Sequence, residues 1–96
     1  MARYRLSDKA RFDLYRLYKF GVRTFGLQQA DSYFDGIINR LQELAHNPKL
    51  YPKVDYVRKD YRRSVFGIHS IYYLVSNDEI LIVRVLGRED PSKQLD

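Results

Sequence analysis

A chain of 96 residues with 45% hydrophobic and 15% aromatic residues, and 17 Lys and Arg against 12 Asp and Glu, has the make-up of one folded domain with a net charge of +5. It contains no cysteine, which excludes disulfides, thiol nucleophiles and thiolate zinc sites. The length is too short for a second domain or a large enclosed substrate cavity, and no apolar run approaches the roughly 18 residues of a membrane-spanning helix. No signal-like opening precedes the folded pattern, so a cytoplasmic protein is expected. The positive balance favours polyanions or acidic polypeptides as partners by long-range attraction.

Tyr4, Arg5 and Leu6 form a short alternating run, read as a first strand. Ser7 can then cap a helix, and Asp8 suits its positive end. Leu14, Leu17, Tyr18, Val22 and Phe25 recur at three- and four-residue steps, which predicts a helix from Asp8 to about Phe25 with Lys9, Arg16, Lys19 and Arg23 facing water. Gly26 terminates it. A second helix is predicted from Leu27 or Gln28, with Ala30, Tyr33, Phe34, Ile37, Ile38, Leu41, Leu44 and Ala45 on one stripe, and Asn47 with Pro48 stops it. So few residues separate the two helices that they should form an antiparallel hairpin.

Residues 47–60 contain two prolines and little periodicity and read as a connecting loop. Three strand-like runs follow, at 61–66, 69–75 and 79–86, with Gly67 marking the first turn and Ser76, Asn77 and Asp78 the second. The last run places Leu81, Val83 and Val85 on one face and Ile80, Ile82, Arg84 and Leu86 on the other, an apolarity that implies a central strand covered on both sides. The expected fold is α+β: an N-terminal strand, a helical hairpin, then a three-stranded antiparallel meander, all in one sheet with the helices on one face. The opposite face is expected to be open to a partner.

Arg58, Lys59, Arg62 and Arg63 lie close together in the run YRRSVFGIHSIYY and its approach. Their forked donors can grip phosphate or carboxylate, while a charged edge strand that discourages unwanted pairing is the alternative of about equal weight. Arg84 is a charge inside an apolar strand. It must either find a carboxylate in the loop or helices or reach the open sheet face. His69 can act as an acid or base near neutral pH, with Tyr72 or Tyr73 orienting a phosphate, but a histidine entering a strand more commonly bonds its own turn. His46 is the only other histidine, no metal-ligand spacing is present, and no cofactor is implied.

Taken together, YRRSVFGIHSIYY leading into EILIVRVLGRED, and the helical stretch FGLQQADSYFDGIINRLQELAHNP, resemble the ParE branch of the RelE/ParE superfamily of bacterial toxins. Gly26, Gln29, Ala30, Tyr33, Leu44, Ala45 and Pro48 occupy the positions of that family's helical motif. The resemblance covers nearly the whole chain and implies a single toxin domain over residues 1–96. It further implies a toxin that inhibits DNA gyrase, a ParD-like antitoxin that wraps and neutralises it, and operator DNA engaged only through that antitoxin. Arg58, Arg62, Arg63, Arg84 and Arg88 are the candidate target or partner contacts, and Leu14, Tyr18, Tyr33 and Ile37 the candidate antitoxin groove.

The RelE-like branch implies an alternative, ribosome-dependent mRNA cleavage, for which His69, Tyr72 and Arg88 are the candidate residues. An inactive binding module of the same fold is a third possibility. Ser70 stands about where that nuclease branch places an arginine. Gly87 departs from the ParE pattern, which often has a histidine there.

Overall fold

The computed structural model describes residues 3–77 and 79–87. Strand β1 (Arg3–Leu6) leads into helices α1 (Asp8–Phe25) and α2 (Leu27–His46), followed by strands β2 (Arg62–Phe66), β3 (His69–Ser76) and β4 (Glu79–Leu86). The class and element order are those the sequence predicts. The sheet order is β1-β4-β3-β2, with β1 parallel to β4 and the other neighbours antiparallel. The last strand is therefore central, as its apolarity requires.

The helices begin and turn for local reasons. Ser7 accepts a hydrogen bond from the Ala10 amide at 3.0 Å and donates one to the Val83 carbonyl at 2.7 Å, so the cap of α1 is also its tie to β4. Gly26 makes the whole turn between α1 and α2: its amide donates to the Val22 carbonyl and its carbonyl accepts from Ala30. Its φ of 94° lies where a side chain would be strained. Leu14, Ile37, Leu41 and Leu44 then pack on Ile71, Tyr73, Ile80, Ile82 and Val85 to form the main core. Burial pushes the Tyr73 phenol from 10.0 up to about 12, against the opposing pull of Arg62, so it stays protonated and donates to the Pro48 carbonyl at 3.0 Å.

Two expectations about sheet faces need correction. Tyr72 pairs with Arg84 while Tyr73 pairs with Ile82, leaving Val83 as the extra residue of a bulge. Beyond that point the alternation of β4 changes phase. Val85 joins Ile80 and Ile82 beneath the helices, and Leu86 joins Val83 on the opposite face. Nor is that opposite face open over its centre. Val54 is buried there with Tyr72 and Leu86, and Val57 and Tyr61 pack alongside, because these apolar strand residues need cover and the connecting segment supplies it.

Strand β1 ends at Leu6, opposite Ile82, so the last residues of β4 have no strand neighbour on that side among the described residues. Asp13, on the second turn of α1, fills the gap. Its Oδ2 accepts from the Val85 amide at 3.0 Å and from Arg84 Nε at 2.7 Å, while Oδ1 accepts from Arg84 Nη2 at 2.9 Å. Both side chains are buried. Arg84 thus has the helical carboxylate that its position demanded and lies in the core, where it cannot serve as the exposed partner contact also proposed for it.

Replacing Asp13 with alanine would leave a buried guanidinium without its carboxylate. The expected loss is about 3–5 kcal/mol of unfolding free energy in a denaturant titration, only part of it recovered in the double variant Asp13→Leu with Arg84→Met, which still leaves the Val85 amide without its acceptor. A loss below about 1 kcal/mol would show that Arg84 escapes to water and that the pair does not fasten α1.

Candidate partner-binding site

The turn between β2 and β3 is built against α2. Gly67 has φ 57°, and a Cβ there would stand 2.6 Å from the Tyr33 hydroxyl, so glycine is required twice over. That hydroxyl accepts from the Ile68 amide at 3.3 Å and lies 3.1 Å from the Phe66 carbonyl and 2.7 Å from His69 Nδ1. It has one proton to give. If Phe66 receives it, His69 must donate from Nδ1; if His69 receives it, the imidazole carries its proton on Nε2. Burial raises the Tyr33 phenol, partly offset by the Ile68 amide, so the hydroxyl stays protonated at neutral pH. His69 is bound to its turn through Tyr33.

Two recesses flank this turn. One, of about 650 Å³, runs beside α1 over Phe12, Leu17 and Phe20, with Arg16 and Arg23 at its sides and Ile68, His69 and Gly87 at its end. The other, of about 430 Å³, lies on the far sheet face between Tyr56, Arg63, Ser70 and Tyr72. Phe12, Phe20 and Ile68 are 58%, 57% and 58% exposed, a cluster of large apolar side chains that water does not favour.

The neighbouring arginines do not form one clamp. Arg62 lies opposite Tyr73 and donates to the Tyr51 carbonyl at 2.6 Å, while Arg63 lies opposite Tyr72 and donates from Nε to Ser70 Oγ at 3.0 Å. Successive strand residues point to opposite faces, so only Arg63 enters the polar recess. Arg58 is half-buried in the connecting segment. Arg88 lies outside the described residues. Tyr72 is 3% exposed and packs with Val54 and Leu86, so it lines its recess from below.

The expected groove residues also separate. Leu14 and Tyr18 line a recess of about 520 Å³ between the helices, with Phe34 and Ile38. Tyr18 donates to Asp31 at 2.6 Å, a bond that raises its pKa, and its ring meets Phe34 edge-on at 5.4 Å. Ile37 is wholly buried beneath the helices, and Tyr33 stands at the β2 to β3 turn. Both lie on the sheet-facing stripe of α2, one turn apart, and so cannot line a groove on its outer side.

Residues 4–91 match the family described as the ParE toxin of the type II toxin-antitoxin system parDE. The chain belongs to the ParE toxin family. It is 30% identical over 86 residues to Toxin ParE1 of Caulobacter vibrioides, spanning 90% of this chain and 88% of that protein. It is 29% identical to Toxin ParE1 of Mycobacterium tuberculosis, spanning 88% of each. Its fold matches a chain of the chromosomal ParDE TA system from P. aeruginosa with a TM-score of 0.80, at 21% identity and over 93% of this chain and 98% of that one.

The ParE-like helical motif has physical roles here. Gly26 turns the hairpin, and Ala30 lets α2 approach so closely that a Cβ on Gly21 would lie 3.3 Å from its own. Tyr33 fastens the sheet turn, Leu44 and Ala45 are buried, and the Pro48 carbonyl receives Tyr73. The sequence reading passed over Phe12 and Phe20, which stand eight residues apart around Arg16. Aromatics at helical spacing on the polar side of a helix were the available clue. It also passed over Arg40, which donates from Nη1 to Ser64 Oγ at 2.8 Å and to the Val65 carbonyl at 2.9 Å, closing the outer edge of β2.

Removing the shared hydroxyl in Tyr33→Phe should cost about 1–3 kcal/mol and speed amide exchange at Ile68 more than in the helices. Unchanged exchange at Ile68 would show that the turn stands without it.

Proposed function

We propose that this ParE toxin arrests growth by binding DNA gyrase, and that a ParD-like antitoxin neutralises it by laying an acidic segment on its surface, with operator DNA reached only through the antitoxin. Gyrase is the target that membership of this family suggests. The observation that favours binding over catalysis is the state of the candidate proton-transfer groups. His69 Nδ1 is bonded to Tyr33, and Tyr72 is packed beneath Val54 and Leu86. Cationic and aromatic side chains instead line the open recesses, as a binding surface requires.

The test is a supercoiling assay with gyrase from the native host, relaxed plasmid and ATP, scored for lost supercoiling and, after detergent and protease, for linear DNA. The expected result is inhibition relieved by the antitoxin. Unimpaired supercoiling by folded protein, together with in-frame message cleavage on ribosomes, would replace this reading with the nuclease one.

A further inference from the structure

The recess beside α1 and the recess on the far sheet face share one wall. Ile68, His69 and Gly87 line both, so the two meet at the end of β4. The junction residue has no side chain. A Cβ at Gly87 would lie 3.8 Å from Cδ2 and Nε2 of His69, an ordinary contact, so alanine fits there. A longer side chain would lie across the His69 edge and close the passage.

Among the described residues, the charges along this path that are not paired in the core have one sign. Arg16, Lys19 and Arg23 line the helical side and Arg63 the sheet side. Among the described residues the one acid in either lining is Asp13, whose carboxylate is engaged by Arg84 and the Val85 amide. Arg63 uses Nε on Ser70, which leaves its two terminal nitrogens for a bidentate acceptor, and it has no carboxylate partner among the described residues. On the helical side the floor is aromatic and aliphatic, with Phe12, Phe20 and Ile68 each more than half exposed. A polyphosphate would gain from the cations but leave Phe12, Phe20 and Ile68 uncovered. An acidic polypeptide with apolar side chains satisfies both.

We infer that the two recesses form one channel for a single acidic, apolar segment of the antitoxin, and that Gly87 is the opening that joins them. Apolar side chains of the segment lie along α1 and a carboxylate meets Arg63 beyond the glycine. The inference rests on the toxin-antitoxin reading and specifies the path the partner takes.

The test titrates the protein with its purified ParD-like antitoxin. Gly87→Ala should bind within about threefold of wild type, whereas Gly87→Phe and Arg63→Gln should each weaken binding about tenfold or more with an unchanged unfolding midpoint. Arg5→Gln, which removes the same charge from the far edge of the sheet, should leave affinity within about twofold. Wild-type affinity in both Gly87→Phe and Arg63→Gln would overturn the channel and leave the antitoxin reading standing. Absence of binding by the wild type would remove that reading and the channel with it. A single-stranded oligonucleotide that binds wild type and is lost in Gly87→Phe, with antitoxin affinity unchanged, would replace the polypeptide by nucleic acid.

Discussion

The carboxylate of Asp13 closes the sheet where β1 runs out. A central strand that loses its neighbour exposes backbone donors, and here the donor of Val85 and the guanidinium of Arg84 are met by one helical side chain. A pair this buried adds little net stability beyond what a well-packed apolar pair would give, because both charges must leave water. Its effect is on position. The carboxylate must reach a strand amide and two guanidinium nitrogens at once, so α1 is fixed in rotation and height over β4. With α1 fixed, Phe12 and Arg16, on the turns around Asp13, are set facing the turn of β2 and β3.

That turn is held from the other side by Tyr33, so the wall of both recesses stands between two polar anchors. The cations of the chain divide accordingly. Arg40, Arg62 and Arg84 are engaged with backbone carbonyls or a buried carboxylate, and they complete the fold. Arg16, Arg23 and Arg63 line open recesses and give the positive balance a direction. A surface that is basic, aromatic and rigidly mounted suits recognition of an acidic protein segment, which is the logic of a toxin kept silent by its partner.

The elements were legible because each carries its own period and its own stop. Ser7, Gly26, Asn47 and Gly67 mark boundaries by chemistry that acts locally. The need of Arg84 for a carboxylate was legible too, since a charge in an apolar strand admits few solutions. The identity of Asp13 was not, because it is 71 positions away and looks like any polar residue of an amphipathic helix. The bulge at Val83 left no mark in composition, and without it Val85 and Leu86 were assigned to the wrong faces. Strand pairing likewise parted Arg62 from Arg63, and helix packing buried Ile37, so the candidate site was only partly readable from spacing. Arg88, the remaining arginine of that set, lies outside the described residues.

The measurement closest to this account is native-state hydrogen exchange of the Val85 amide. Held by a buried carboxylate at the covered end of a central strand, it should exchange only through global unfolding, with the slowest amides of β3 and β4. Exchange as fast as in the connecting segment 47–60 would show that the edge of β4 opens independently of the core. Asp13 would then not be what holds α1 and the recesses in place.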